Sequence, residues 1–97
     1  METGGKKKRS QLEIIYDMLS SVQQKGGRIK PTHLLYRSNL SYKLLQEYLG
    51  LLETQGLLCE EANRKDPNRK EYVITDKGLK FLFEYKRIAE FTNAFGL

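Results

Sequence analysis

Cysteine and histidine are nearly missing from this chain of 97 residues, which holds 1 of each. The lone Cys59 has no partner for an internal disulfide, and one Cys with one His cannot assemble a structural zinc site. No metal and no cofactor is expected. Long hydrophobic runs are missing too. No stretch approaches the roughly 20 apolar residues that cross a bilayer. The opening METGGKKKRS follows its charges with no apolar core, which argues against a secretory signal. A cytoplasmic setting is therefore expected, with Cys59 reduced in a strand as a small buried or half-buried residue. No nucleophile motif and no Gly-rich phosphate loop is found, so catalysis is not expected and no small-molecule ligand is evident. Internal repeats are absent.

What is present is positive charge and pattern. The formal net charge is +5, with 30% charged and 39% hydrophobic residues. A chain this short forms one domain around one core. Its basic balance favours a polyanionic partner, nucleic acid or an anionic membrane surface.

Residues Met1 to Arg9 offer nothing to bury and concentrate Lys6, Lys7, Lys8 and Arg9. They read as a disordered basic tail, either a plain solubilising segment or an arm for DNA phosphates. Ser10 and Glu13 then fit the S-x-x-E capping box. Leu12, Ile15, Leu19 and Val22 recur at helical spacing, flanked by Tyr16 and Met18, and Gly26-Gly27 ends that helix. Arg28 to Lys30 is a short extended link that could add a third strand. Pro31 suits the first position of a helix, PTHLLYRS, in which Leu34, Leu35 and the ring of Tyr36 can face the core. A tight turn near Asn39-Leu40 leads to Ser41, a good cap for the helix carrying Leu44, Leu45, Tyr48, Leu49, Leu51 and Leu52. Gly56 stops it. LLCEEA and KEYVIT have strand character, separated by a charged loop with the turn residues Asp66-Pro67-Asn68. Thr75 caps a last helix through GLKFLFEYKRIAEF.

This order is helix-turn-helix followed by a β-hairpin wing. The fold class is thus an α+β winged helix-turn-helix, with the tail at 1–9, the DNA-binding domain at 10–75 and a long C-terminal dimerisation helix at 76–97. Such a motif lays its second helix in the DNA major groove. The expected partner is double-stranded DNA, and the expected role is transcriptional regulation or nucleoid association. The alternative is a winged-helix module that binds protein within a larger assembly.

Four cations, Arg28, Lys30, Arg37 and Lys43, fall in a stretch with no Asp or Glu before Glu47, and would approach the phosphate backbone. Ser41, Tyr42, Lys43, Gln46 and Glu47 front the second helix, where residues reach base edges first. Tyr42 can instead pack on the preceding helix, and Glu47 can either accept from cytosine or pair with Lys43. In the wing, Arg64, Lys65 and Arg69 would touch phosphate or minor groove, or simply be solvated. His33 reads as a surface or capping residue. In the last helix, Leu79, Leu82 and Phe83 can fill the core. Phe81, Tyr85, Ile88, Thr92 and Phe95 form an a/d seam for a homodimer.

Tyr16-Asp17, LLYRSNLSYKLLQEYLGLLETQGLL and YVITDKGLKFL together resemble the small archaeal winged-helix proteins regarded as predicted transcriptional regulators, including chromatin-associated DNA-binding proteins of that group. The resemblance covers about Ser10 to Phe91. It implies weakly specific DNA binding and homodimers joined by an antiparallel coiled coil of the last helices. By position it also implies a DNA-facing motif of Tyr36, Arg37, Asn39, Ser41, Tyr42 and Lys43.

Overall fold

A computed structural model describes residues 9–97. The elements run α1 (Gln11–Gln24), β1 (Arg28–Ile29), α2 (Pro31–Ser38), α3 (Tyr42–Thr54), β2 (Leu58–Ala62), β3 (Lys70–Ile74) and α4 (Asp76–Ala94). The capping box at the start of α1 is complete. Ser10 Oγ accepts from the Glu13 backbone N–H at 3.1 Å, and the Glu13 carboxylate accepts from the Ser10 N–H at 2.8 Å. α1 is packed by α2, α4 and the sheet. Its buried face is therefore wider than the single stripe the spacing suggests, and takes in Ile14 and Met18 beside Ile15, Leu19 and Val22. Leu12, expected in that stripe, is instead 56% exposed in the first turn.

α2 and α3 form the helix-turn-helix. Within α2 the buried positions are Leu34 and Ser38, four residues apart on one face. Ser38 satisfies its hydroxyl by donating to the Leu34 carbonyl at 2.7 Å. Tyr36 lies two residues from Leu34, on the other side of a helix with 3.6 residues per turn. Its ring, expected in the core, is 81% exposed. The turn hinges on Asn39, whose φ of 55° is the left-handed conformation that Asn tolerates better than most residues. Ser41 then caps α3, accepting from the Leu44 N–H at 3.1 Å. The apolar face of α3 packs as its pattern predicts, with Leu45, Leu49 and Leu52 buried and Leu44, Tyr48 and Leu51 half-buried.

The sheet is antiparallel, in the order β1-β3-β2. The short link after α1 does become a third strand, pairing Arg28 with Val73 and Ile29 with Tyr72. β2 and β3 form the wing hairpin. Thr75 fastens the base of α4: its hydroxyl accepts from the Gly78 N–H at 3.0 Å and donates to the Gly56 carbonyl at 2.6 Å.

α4 divides its apolar residues differently from the sequence expectation. Leu82 is buried and Phe81 packs against the core. The Tyr85 ring stacks on Tyr16 of α1, with centroids 4.5 Å apart. Phe81 and Tyr85, the first two seam positions, thus serve their own domain. Leu79 and Phe83, expected in the core, are exposed. α1 packs along α4, where Tyr16 meets Tyr85 and where Leu82 and Phe81 join the core, while Leu79 and Phe83 edge a surface groove beside α1. Beyond Tyr85, Ile88 and Phe95 of the seam are exposed with Phe91, and Thr92 is half-buried. The Phe91 and Phe95 rings lie 4.8 Å apart.

Candidate nucleic-acid interface

Positive potential on the helix-turn-helix begins with the backbone. A helix N-terminus carries partial positive charge from its unsatisfied N–H groups. In α1 and α4 an acidic residue, Glu13 or Asp76, sits in the first turn. In α2 and α3 there is none. The two motif helices therefore keep the field of their N-termini unneutralised by a first-turn acid. Lys30 precedes α2, and Lys43 lies in the first turn of α3.

The front of α3 is open to solvent. Ser41, Tyr42, Lys43, Gln46 and Glu47 are all exposed. At 66% exposure, Tyr42 is not packed away on the preceding helix. Among the described residues no ion pair joins Lys43 to Glu47, so the lysine charge is not taken up within its own helix. Arg37 is exposed and donates to the Gln24 side chain at 2.6 Å, a neutral partner that leaves its charge uncompensated. The Asn39 carbonyl accepts from Arg9 at 3.2 Å, and Arg9 also pairs with Asp17 at 2.9 Å. Arg9 was expected in the tail. Those contacts attach it to the domain instead, and the tail expectation for Met1 to Lys8 lies outside the described residues.

The wing approaches the start of α2 across a cleft of about 560 Å³, lined by Lys30, Thr32, Lys65, Arg69 and Lys70 among others. Arg64 and Lys65 are exposed in the loop. Arg69 shares its charge with Asp66, 3.2 Å away. The hairpin tip is a turn closed by the Arg69 N–H donating to the Asp66 carbonyl at 2.9 Å. Pro67 follows Asp66 there, the position where its fixed φ suits a β-turn.

Arg28 is engaged elsewhere. Its guanidinium donates to Glu61 at 2.7 Å and to Glu71 at 3.2 Å, and these two bonds hold its pKa above the ordinary value. A cation bound to two carboxylates has little charge left for phosphate, so Arg28 leaves the set of candidate DNA contacts. Its sequence neighbourhood lacks acids, but β2 and β3 bring them in from more than thirty residues away. Glu71 is 7% exposed, and its other oxygen accepts from the Asn63 side-chain amide. Neither Glu71 nor Asn63 stood out in the sequence. The available signal was an Asn at the end of a strand before a turn, where its side chain can replace backbone partners.

On the other side of the hairpin, burial and the nearby Glu60 and Glu53 push the Tyr72 phenol up to about 12. Burial likewise raises Glu53. His33 is exposed on α2. Among the described residues no cluster of His, Cys, Asp and Glu could hold a metal ion, and no helix is long and apolar enough to cross a membrane.

A family model described as winged helix-turn-helix matches residues 8–93. The chain belongs to the winged helix-turn-helix family. Among its relatives is the uncharacterized protein MJ0287 of Methanocaldococcus jannaschii, 26% identical over 87 residues, covering 90% of this chain and 80% of that protein. Among solved structures it is similar to Sso10a-2, a DNA-binding protein from Sulfolobus solfataricus. That match has a TM-score of 0.74 and 24% identity, over 90% of this chain and 85% of the other. It is also similar to F93 from STIV, a winged-helix DNA-binding protein, at a TM-score of 0.68 and 22% identity over 84% and 92% of the two chains. The exposed cations of this chain include Arg37 on α2, Lys43 on α3, Arg64 and Lys65 in the wing and Lys77, Lys80, Lys86 and Arg87 on α4, and its exposed aromatic rings are Tyr36 on α2, Tyr42 on α3, Phe83 and Phe91 on α4 and Phe95 at its end.

Proposed function

We propose that the chain binds double-stranded DNA as a homodimer, in a transcriptional or nucleoid role. α3 enters the major groove, and the wing rides on the backbone or in the minor groove. The observation that carries this reading is the open front of α3. Ser41, Tyr42, Lys43 and Gln46 are exposed together beside two helix N-termini free of first-turn acids. Lys43 and Gln46 have the chemistry to read guanine and adenine edges, and Lys30, Arg37, Arg64 and Lys65 supply phosphate contacts. The likeness to Sso10a-2 and F93, both named as DNA-binding, supports the same reading.

The dimer rests on the second half of α4. Ile88, Phe91 and Phe95 are each more than half exposed, and in a lone chain they leave apolar surface in water. A second α4 would cover it. A two-fold dimer would present two α3 helices to half-sites about one DNA turn apart or a multiple of it.

Fluorescence anisotropy of a generic duplex at several salt concentrations tests the reading. With about three phosphates neutralised per protomer, the log–log slope should lie near −5. Arg37→Ala with Lys43→Ala should weaken binding on every sequence and flatten that slope. A slope near zero, or no binding, would favour the rival module that docks on protein.

A further inference from the structure

We propose that Asn63 is the positioning residue of the wing, fixing the shape of the loop before any DNA arrives. The inference rests on the DNA-binding reading above and adds to it the residue on which the wing's geometry depends.

Four of the loop's polar contacts meet at Asn63, while Asp66 closes the tip with Asn68 and Arg69. Its side-chain oxygen accepts from the backbone N–H groups of Lys65 at 2.8 Å and Asp66 at 2.9 Å. Its side-chain amide donates to Glu71 on β3. Its own N–H donates to the Arg69 carbonyl at 2.8 Å, tying the two arms of the loop together. Asn63 thus grips the loop with one end and the sheet with the other. The grip on the sheet is firm because Glu71 is nearly buried and is also held by Arg28 from β1 at 3.2 Å.

Nothing apolar does this work. Arg64, Lys65, Pro67, Asn68 and Arg69 are all exposed, and the loop sends no hydrophobic side chain into the core. A loop without an apolar anchor is ordinarily mobile, and ordering it on binding consumes affinity. Here the order is built in. Arg64 and Lys65 are presented at fixed positions because Asn63 fixes the backbone that carries them. This also accounts for Arg28: it acts on DNA through Glu71 and Asn63 rather than by touching phosphate.

The test uses a donor–acceptor swap in the full chain. Asn63→Asp keeps the oxygen that serves the Lys65 and Asp66 amides, removes the donor and sets a second carboxylate against Glu71. Asn63→Asp with Glu71→Gln restores a donor–acceptor pair with its direction reversed, at the net charge of the wild type. Amide hydrogen exchange in the free protein reads the loop, and duplex-DNA affinity across a salt series reads binding. The single variant should exchange the Lys65 and Asp66 amides about tenfold faster and bind DNA about five- to tenfold more weakly. The double variant should recover both, with the wild-type salt slope. Arg64→Ala is the contrast: it should lower that slope by about 1 and leave exchange at Lys65 and Asp66 unchanged. Wild-type exchange in the single variant overturns the proposal. So does faster exchange with undiminished affinity, or a double variant that stays as loose as the single. A wild-type protein that binds no DNA is a different failure. It removes the DNA reading and the wing's part in it, while exchange still decides whether Asn63 holds the loop.

Discussion

Two glycines inside helices should respond to the same substitution with opposite signs. Gly78 lies in the first turn of α4 and is buried; Gly50 lies within α3 and is exposed. Alanine in a helix interior is favoured over glycine by about 1 kcal/mol. At Gly50 an added Cβ meets nothing within 4 Å. Gly50→Ala should therefore stabilise by about 0.5–1 kcal/mol. At Gly78 the same atom falls 2.4 Å from the Leu57 carbonyl oxygen and 2.7 Å from the Ile74 side chain. The carbonyl is backbone and cannot swing aside. α4 must retreat, and with it the Thr75 hydroxyl that bridges Gly78 to Gly56. Overpacking costs about 1–3 kcal/mol, and a backbone clash belongs at the upper end. Set against the propensity gain of about 1 kcal/mol, Gly78→Ala should destabilise by about 2 kcal/mol. For a domain of this size that lowers the melting temperature by about 8–16 °C. Circular dichroism melts, with denaturant titrations for the free energies, give both values. A Gly78→Ala protein as stable as the wild type would refute the close junction of α4 with the start of β2.

Ile88→Glu sets a charge in the exposed apolar surface of α4. It should yield monomers of unchanged helix content that bind DNA much more weakly, because the linked second contact is lost; light scattering showing one chain already in the wild type at tens of micromolar would end the dimer proposal. Tyr72 gives a pH signature. Its folded-state pKa of about 12 exceeds the ordinary 10.0, so the native state holds that proton more tightly. The stability this contributes is present below about pH 10 and is lost as pH rises towards 12. Denaturant midpoints should fall across that window in the wild type and fall less in Tyr72→Phe, and parallel declines would refute the assignment.

The features legible in the sequence are those set by neighbours along the chain. Ser10 with Glu13, Ser41 with Leu44, and Thr75 with Gly78 are caps closed within one helical turn, and each is found where the residue types predict it. The apolar face of α3 follows from its period, and the two wing strands from their residue types on either side of the Asp66-Pro67-Asn68 turn. What the sequence hid depends on contacts across the fold. Arg28 looked free because no acid lies near it in the chain, yet strand pairing delivers Glu61 and Glu71. Tyr36 is apolar enough for a core and is turned outward by the two-residue offset from Leu34. In α4 two apolar stripes compete for one domain, and contacts with Tyr16 and the core take Tyr85 and Phe81 inward and leave Phe83 outward. Asn63 is an ordinary turn residue until Glu71 is placed beside it.

The central claim is that DNA lies across the front of α3 and the wing. Backbone amide shifts of the isotopically labelled full chain, followed through a titration with a generic duplex, test it most directly. The account predicts that the amides of Tyr42, Lys43, Gln46, Arg64 and Lys65 move together and saturate with the duplex, while those of Phe91 and Phe95 at the far end of α4 do not. Shifts confined to α4, or no shift at a duplex concentration well above that of the protein, would contradict it.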